Sequence, residues 1–174
     1  MEISLEAIKE LRRITSASIS DCKKALRDSG ADIQRAVELL RKRGMEIAAE
    51  KQARVAKQGR IESYVHLGNK IGVLLEVDCE TDFVAWNSDF CHFTKDVAMQ
   101  IAACNPLYIT KEDAPQDAIG SQGDREQFYK DHCLLEQVFI KDPSITVKDY
   151  LASLIAKIGE NIVIRRFTRY EVGR

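Results

Sequence analysis

Residues 61–85 read IESYVHLGNKIGVLLEVDCETDFVA. Ile61, Ser63 and Val65 alternate with Glu62, Tyr64 and His66, and further on Ile71, Val73, Leu75 and Val77 alternate with Gly72, Leu74 and Glu76. A period of two is the signature of a strand, and Gly68-Asn69 between the runs supplies a two-residue hairpin turn. The stretch therefore predicts an antiparallel hairpin. Its second strand runs into Asp78, Glu80 and Asp82, and then at once into Phe83.

Toward the C-terminus the period changes to that of a helix. Asn87 or Ser88 can cap it, and Phe90, Phe93, Val97 and Ile101 fall on one face. Pro106 ends that region, and Leu107 to Ile109 reads as a short strand or edge. Residues 111–125, with several charges, Pro115 and two glycines, predict a surface loop. A helix follows from Arg125 to Leu135. Thr146 and Asp149 then open another, with Tyr150, Leu151, Leu154, Ile155 and Ile158 inward and Gly159 as its stop. The β-branched and aromatic run Asn161 to Val172 predicts a last strand. Residues 61–174 thus read as an α+β core, an antiparallel three-stranded sheet covered by helices.

Residues 1–45 predict three short helices. Ser4 caps the first, with Leu5, Ile8 and Leu11 at spacing three. Ser18 caps the second, with Asp21 completing a capping-box-like pattern and Ile19, Cys22, Ala25 and Leu26 as its apolar face. Asp32 caps the third, which presents Ile33, Ala36, Val37 and Leu40 and is expected to stop at Gly44. Helices of this length enclose a small core, suited to an attachment module. Residues 46–60 carry alanine and mixed charge, which predicts a solvated helical linker ending near Gly59.

The chain has 174 residues, 45% apolar and 30% charged, with 3 prolines and 9 glycines. That profile predicts a folded protein and argues against a disordered or collagen-like one. Every apolar run falls short of the roughly 20 residues of a membrane span. An amphipathic segment begins by Ser4, leaving no room for a leader, and five irregularly spaced cysteines point to reduced thiols in a cytoplasmic setting. The net charge of -1 divides into +5 over residues 1–60 and -6 over the remainder. Two modules with different faces are implied, and general attraction to nucleic acid is not.

No motif carries enzymatic chemistry. The cysteines form no CxxC pair, His66, His92 and His132 lie far apart, and the adjacent pairs Cys91-His92 and His132-Cys133 are badly spaced for one tetrahedral metal. There is no phosphate-binding glycine loop, so no direct nucleotide binding is expected. Arg165, Arg166 and Arg169 on the last strand are more simply a solvated face than a phosphate site. The run from Asp78 to Ala85 stands out. Phe83 can fold into the local core beside a capping Thr81 or Asp82, or be displayed on a connecting loop as a wedge toward a partner. Residue chemistry alone leaves both open.

Here the chain resembles the elongation factor Ts family. EVDCETDFVA at 76–85 is similar to the family's core signature and LRRITSASISDCKKAL at 11–26 to its N-terminal one. Supporting matches are SYVHLGNKIGVLLE at 63–76, IAACNPLYIT at 101–110, LLEQVFIKDP at 134–143 and IAKIGENIVIRRFTRYEVG at 155–173. The resemblance implies a guanine-nucleotide exchange factor without covalent chemistry or cofactor of its own. Its ubiquitin-associated-like first module would dock on elongation factor Tu through Arg12, Ile19, Ser20 and Lys23. Thr81, Asp82, Phe83 and Val84 would dislocate the partner's magnesium. It also implies a homodimer, because longer relatives carry a second core half.

The chain departs from the family pattern at Ser16 and Ser18, where glycine is usual, at Ser20 for methionine, at Asp78 for asparagine, and at Trp86 for a basic residue. Two rival classes compete with the resemblance. A ubiquitin-associated adaptor would explain only the first helices, and a small hydrolase using His66 and Cys79 lacks an orienting third group.

Overall fold

The computed structural model describes residues 3–115 and 125–173. Its helices are α1 (Leu5–Thr15), α2 (Ile19–Asp28), α3 (Ile33–Lys51), α4 (Asp82–Ala85), α5 (Ser88–Cys104), α6 (Arg125–His132) and α7 (Val147–Ile158). Its strands are β1 (Gln58–Val65), β2 (Ile71–Cys79), β3 (Val138–Phe139), β4 (Asp142–Thr146) and β5 (Ile162–Glu171). The expected α+β class holds, with a three-stranded antiparallel sheet in the order β1-β2-β5. Two compact units result. One runs to Arg54 and takes in Leu151–Asn161; the other comprises Val55–Tyr150 and the chain from Ile162.

In the first unit the caps form as their sequence dictates. Ser4 accepts from the Ala7 amide at 3.1 Å, Ser18 from Asp21 at 3.1 Å and Asp32 from Arg35 at 3.0 Å. Ile8, Leu11, Cys22, Ala25, Leu26 and Ala36 make the core, with Ile33, Val37 and Leu40 packed around it. Leu5 and Ile19, expected inward, are 60% and 58% exposed. Ser16 takes a left-handed conformation (φ 55°) to end α1, the place where a glycine has no Cβ penalty.

The third helix does not stop at Gly44. It continues to Lys51, and Gly44 is buried within it. A Cβ there would stand 3.6 Å from the Ala152 carbonyl oxygen, ordinary van der Waals contact. A Cβ would be accommodated there, so this glycine neither ends the helix nor is demanded by its neighbours. Residues 46–60, expected as a helical linker, are therefore divided between the end of α3 and the start of β1.

In the second unit, β2 is the central strand. Val73, Leu75, Val77 and Cys79 point to one face and are buried, under Phe90, Phe93, Val97 and Ile101 of α5 and beside Ile162 and Ile164 of β5. The other face is open: Ile61, Val65, Leu74 and Tyr170 are all at least half exposed. β1 thus buries Glu62 and not its aliphatic residues. The hairpin loop is four residues long, Leu67–Lys70, with Gly68 (φ 91°) and Asn69 (φ 56°) left-handed. It is longer than the two-residue turn expected: the last ladder bond, from the His66 amide to the Ile71 carbonyl, leaves four residues between its ends.

The hairpin β3–β4 was not expected. Its anchor is Gln100, fully buried on α5, whose amide donates to Gln137 Oε1 and the Val138 carbonyl and accepts from the Ile140 amide. Thr146 and Asp149 exchange the predicted capping bonds at the start of α7, and Gly159 (φ 85°) follows its end. Leu107 to Ile109 forms only a single bridge, Tyr108 with Cys133. The predicted 111–125 loop is described as far as Pro115; residues 116–124 lie outside the described residues.

Candidate functional site

At its C-terminal end β2 leaves the sheet through Glu80 and an extended Thr81 (φ -125°, ψ 153°). The next residues close one turn of helix, α4, and Asn87 begins α5 by accepting from the Asp89 amide at 2.8 Å. The acidic-aromatic pair therefore sits on a helical turn, not on the bare loop that sequence spacing suggested. Ala85 is buried beneath this turn and Val84 half-buried, while Thr81 and Asp82 are exposed. Phe83 is 84% exposed and Trp86 83%. Phe83 is not a core residue.

Beneath α4 lies a polar network that connects it to the sheet. Arg60 Nη1 donates to Cys91 Sγ at 2.7 Å, and that thiol faces the Ala85 carbonyl at 3.7 Å. Arg60 Nη2 also pairs with Glu62 at 3.0 Å, and Thr94 donates to the same carboxylate oxygen at 3.1 Å. Cys79 donates to the Thr81 carbonyl at 3.1 Å. These contacts fix both ends of the turn. Sequence reasoning missed them because Arg60 and Cys91 are 31 positions apart; the available signal was Glu62, a carboxylate in register with buried neighbours.

Arg12, Ile19, Ser20 and Lys23 belong to the first unit, and all four are exposed. Ile19 and Lys23, four apart, share one side of α2. Arg12 is in the last turn of α1, and Ile14, two residues on, is 47% exposed. Behind them the buried Cys22 thiol is pushed above its ordinary pKa, mainly by desolvation, so it stays protonated core.

The chemistry of rival readings does not assemble. Among the described residues no group of three His, Cys, Asp or Glu converges to hold a metal. His66 stands at the loop end of the hairpin bonded to Tyr64, and Cys79 is buried at the other end. His66 stands opposite Ile71, eight strand positions from Cys79, roughly 26 Å at strand rise. Arg165 pairs with Asp78, Arg166 with Glu76, and Arg169 with Glu171 and the Ala102 carbonyl. Among the described residues no helix is long and apolar enough to cross a membrane.

A rigid turn that displays large aromatics suits protein docking better than catalysis. The family model described as Elongation factor TS matches residues 2–124. The chain belongs to the elongation factor Ts family. Curated proteins of the same name extend the match to nearly the whole length. That of Caldanaerobacter subterraneus subsp. tengcongensis is 48% identical over 194 aligned positions, covering 98% of this chain and 97% of the relative. That of Herpetosiphon aurantiacus is 45% identical with 99% of each covered, and that of Thermodesulfovibrio yellowstonii 44% with 100% and 98%. As a member of this family the chain is a translation elongation factor, at work in protein biosynthesis.

Proposed function

We propose that the protein is the guanine-nucleotide exchange factor of elongation factor Tu, and that it acts by contact and without covalent chemistry. Residues 1–45 serve as the docking module, with Ile19 and Ser20 as contact surface and Arg12 and Lys23 as peripheral charges that steer association. Residues 46–60 join it to the core at 61–174. Thr81, Asp82, Phe83 and Val84 enter the partner beside its nucleotide. There Phe83 parts two packed elements and shifts the groups that hold magnesium. Magnesium compensates the phosphate charge, so its displacement weakens GDP. By linkage the factor speeds release only to the extent that it lowers GDP affinity while bound, and GTP displaces it in turn.

The observation that carries this reading is the 84% exposure of Phe83 on a turn whose small residue, Ala85, faces inward. An aromatic so displayed contributes little to the core of its own chain and is available to a partner. The open face of the sheet supports a second element of the proposal, a homodimer. Ile61, Val65, Leu74 and Tyr170 form an apolar surface on an otherwise two-layered unit, and self-association through such a surface is most often two-fold. Nucleotide, nucleic acid and membrane are not among the proposed direct partners.

The test is the release of a fluorescent GDP analogue from elongation factor Tu. Addition of the protein at substoichiometric concentration accelerates release with multiple turnover. A rate equal to the spontaneous one would reject exchange activity.

A further inference from the structure

The turn that carries Phe83 is built inside out. Its small residue, Ala85, is 7% exposed, whereas its two largest residues, Phe83 and Trp86, are 84% and 83% exposed. Spaced by three, they leave the same side of the turn. The packing that would ordinarily bury an indole is given to an alanine. The turn is also held from both ends, by Cys79 against the Thr81 carbonyl at 3.1 Å and by Cys91 against Ala85 at 3.7 Å. A turn held at both ends loses little backbone freedom on binding, which favours affinity.

Resting on the reading of Phe83 given above, we propose that Trp86 is a second anchor of the same contact. It enters the apolar cleft of elongation factor Tu beside Phe83, and its contribution is mainly to affinity. A second copy of this chain is the less suitable occupant. α4 packs with α5 on the helix-covered side of the sheet, whereas the exposed aliphatic residues suited to self-association lie on the opposite face. Asp82, exposed at the start of the turn, adds a carboxylate beside the aromatic pair and so selects a cleft bordered by a cation. The division of labour follows from position. Phe83 lies next to the acid that approaches the magnesium site, and Trp86 lies one turn away.

Trp86 is the only tryptophan in the chain, so its emission isolates this contact. The experiment titrates elongation factor Tu into the full-length protein and subtracts the same titration with Trp86→Phe, which removes the partner's own signal. The difference spectrum shifts to the blue on complex formation. In the release assay, Trp86→Ala raises the concentration for half-maximal stimulation by about tenfold or more, while the maximal rate changes by less than about threefold; Trp86→Phe recovers part of the loss. A complex that accelerates GDP release with an unshifted difference spectrum, or an unchanged half-maximal concentration for Trp86→Ala, would overturn the proposal and leave the exchange reading intact. Failure of the native protein to accelerate release would remove both.

Discussion

Arg60 on β1 and Cys91 on α5 meet through a guanidinium N–H 2.7 Å from the sulfur, directly beneath the turn that displays Phe83. The same guanidinium neutralises Glu62, which is 8% exposed. Arg60→Ala leaves that carboxylate with Thr94 as its remaining donor in the network. Loss of one partner of a largely buried pair costs about 3 kcal/mol. Urea denaturation should show that loss as a lowered midpoint, and an unchanged midpoint would mean that Glu62 is adequately solvated without Arg60.

Tyr150 makes stability sensitive to alkali. Burial, and then the charge of Asp96 to which its hydroxyl donates at 3.2 Å, hold its pKa far above the ordinary tyrosine value. The unfolded chain therefore releases this proton first as pH rises through about 10. Where the folded state binds more protons than the unfolded one, stability falls with increasing pH. Unfolding free energy should decline above about pH 10, and Tyr150→Phe should flatten that decline. Equal slopes for the two proteins would remove Tyr150 as the cause.

Ser16 ends α1 at φ 55°, a conformation that costs a residue with a Cβ about 1 kcal/mol. Ser16→Gly should raise the stability of the first unit by about that amount, less the entropy glycine adds to the unfolded chain. Thermal unfolding followed by circular dichroism measures it. A lowered midpoint would show that the serine side chain contributes more than its backbone conformation costs.

Legibility in the sequence followed the range of the forces involved. Helix caps at Ser4, Ser18, Asp32, Asn87 and Thr146 were readable because each is a contact within three or four residues. The hairpin and the last strand were readable from alternation. Gly44 lies inside α3, and in sequence a glycine within a helix looks the same as one at its stop. The short hairpin β3–β4 depends on Gln100, some 38 residues away from Val138, and no local pattern announces it. At the candidate site, the acids and Phe83 were visible as an unusual string. Their display on a helical turn and the support from Arg60, Glu62 and Cys91 were not, because both arise from tertiary contact.

The open sheet face makes the oligomer testable by one side chain. Leu74 lies at its centre, between Ser63 and Thr168, and is 50% exposed. Truncation of the first helices is a less clean test, because it would remove from Leu151–Asn161 the rest of the compact unit to which that segment belongs. Sedimentation of the native protein at micromolar concentration should give twice 19.7 kDa. Leu74→Glu should give the single mass with its helical content preserved. A native monomer, or a dimer indifferent to Leu74→Glu, would reject this face as the interface.

In the proposed function Phe83 acts on a partner and not on its own fold. The most direct measurement is GDP release from elongation factor Tu with Phe83→Ala, alongside its unfolding midpoint. At 84% exposure the substitution should alter stability by no more than about 0.5 kcal/mol. Release should slow by about 30-fold or more, the factor that corresponds to a partner anchor of about 2 kcal/mol. A stable Phe83→Ala protein that stimulates GDP release from elongation factor Tu at the native rate would contradict that role.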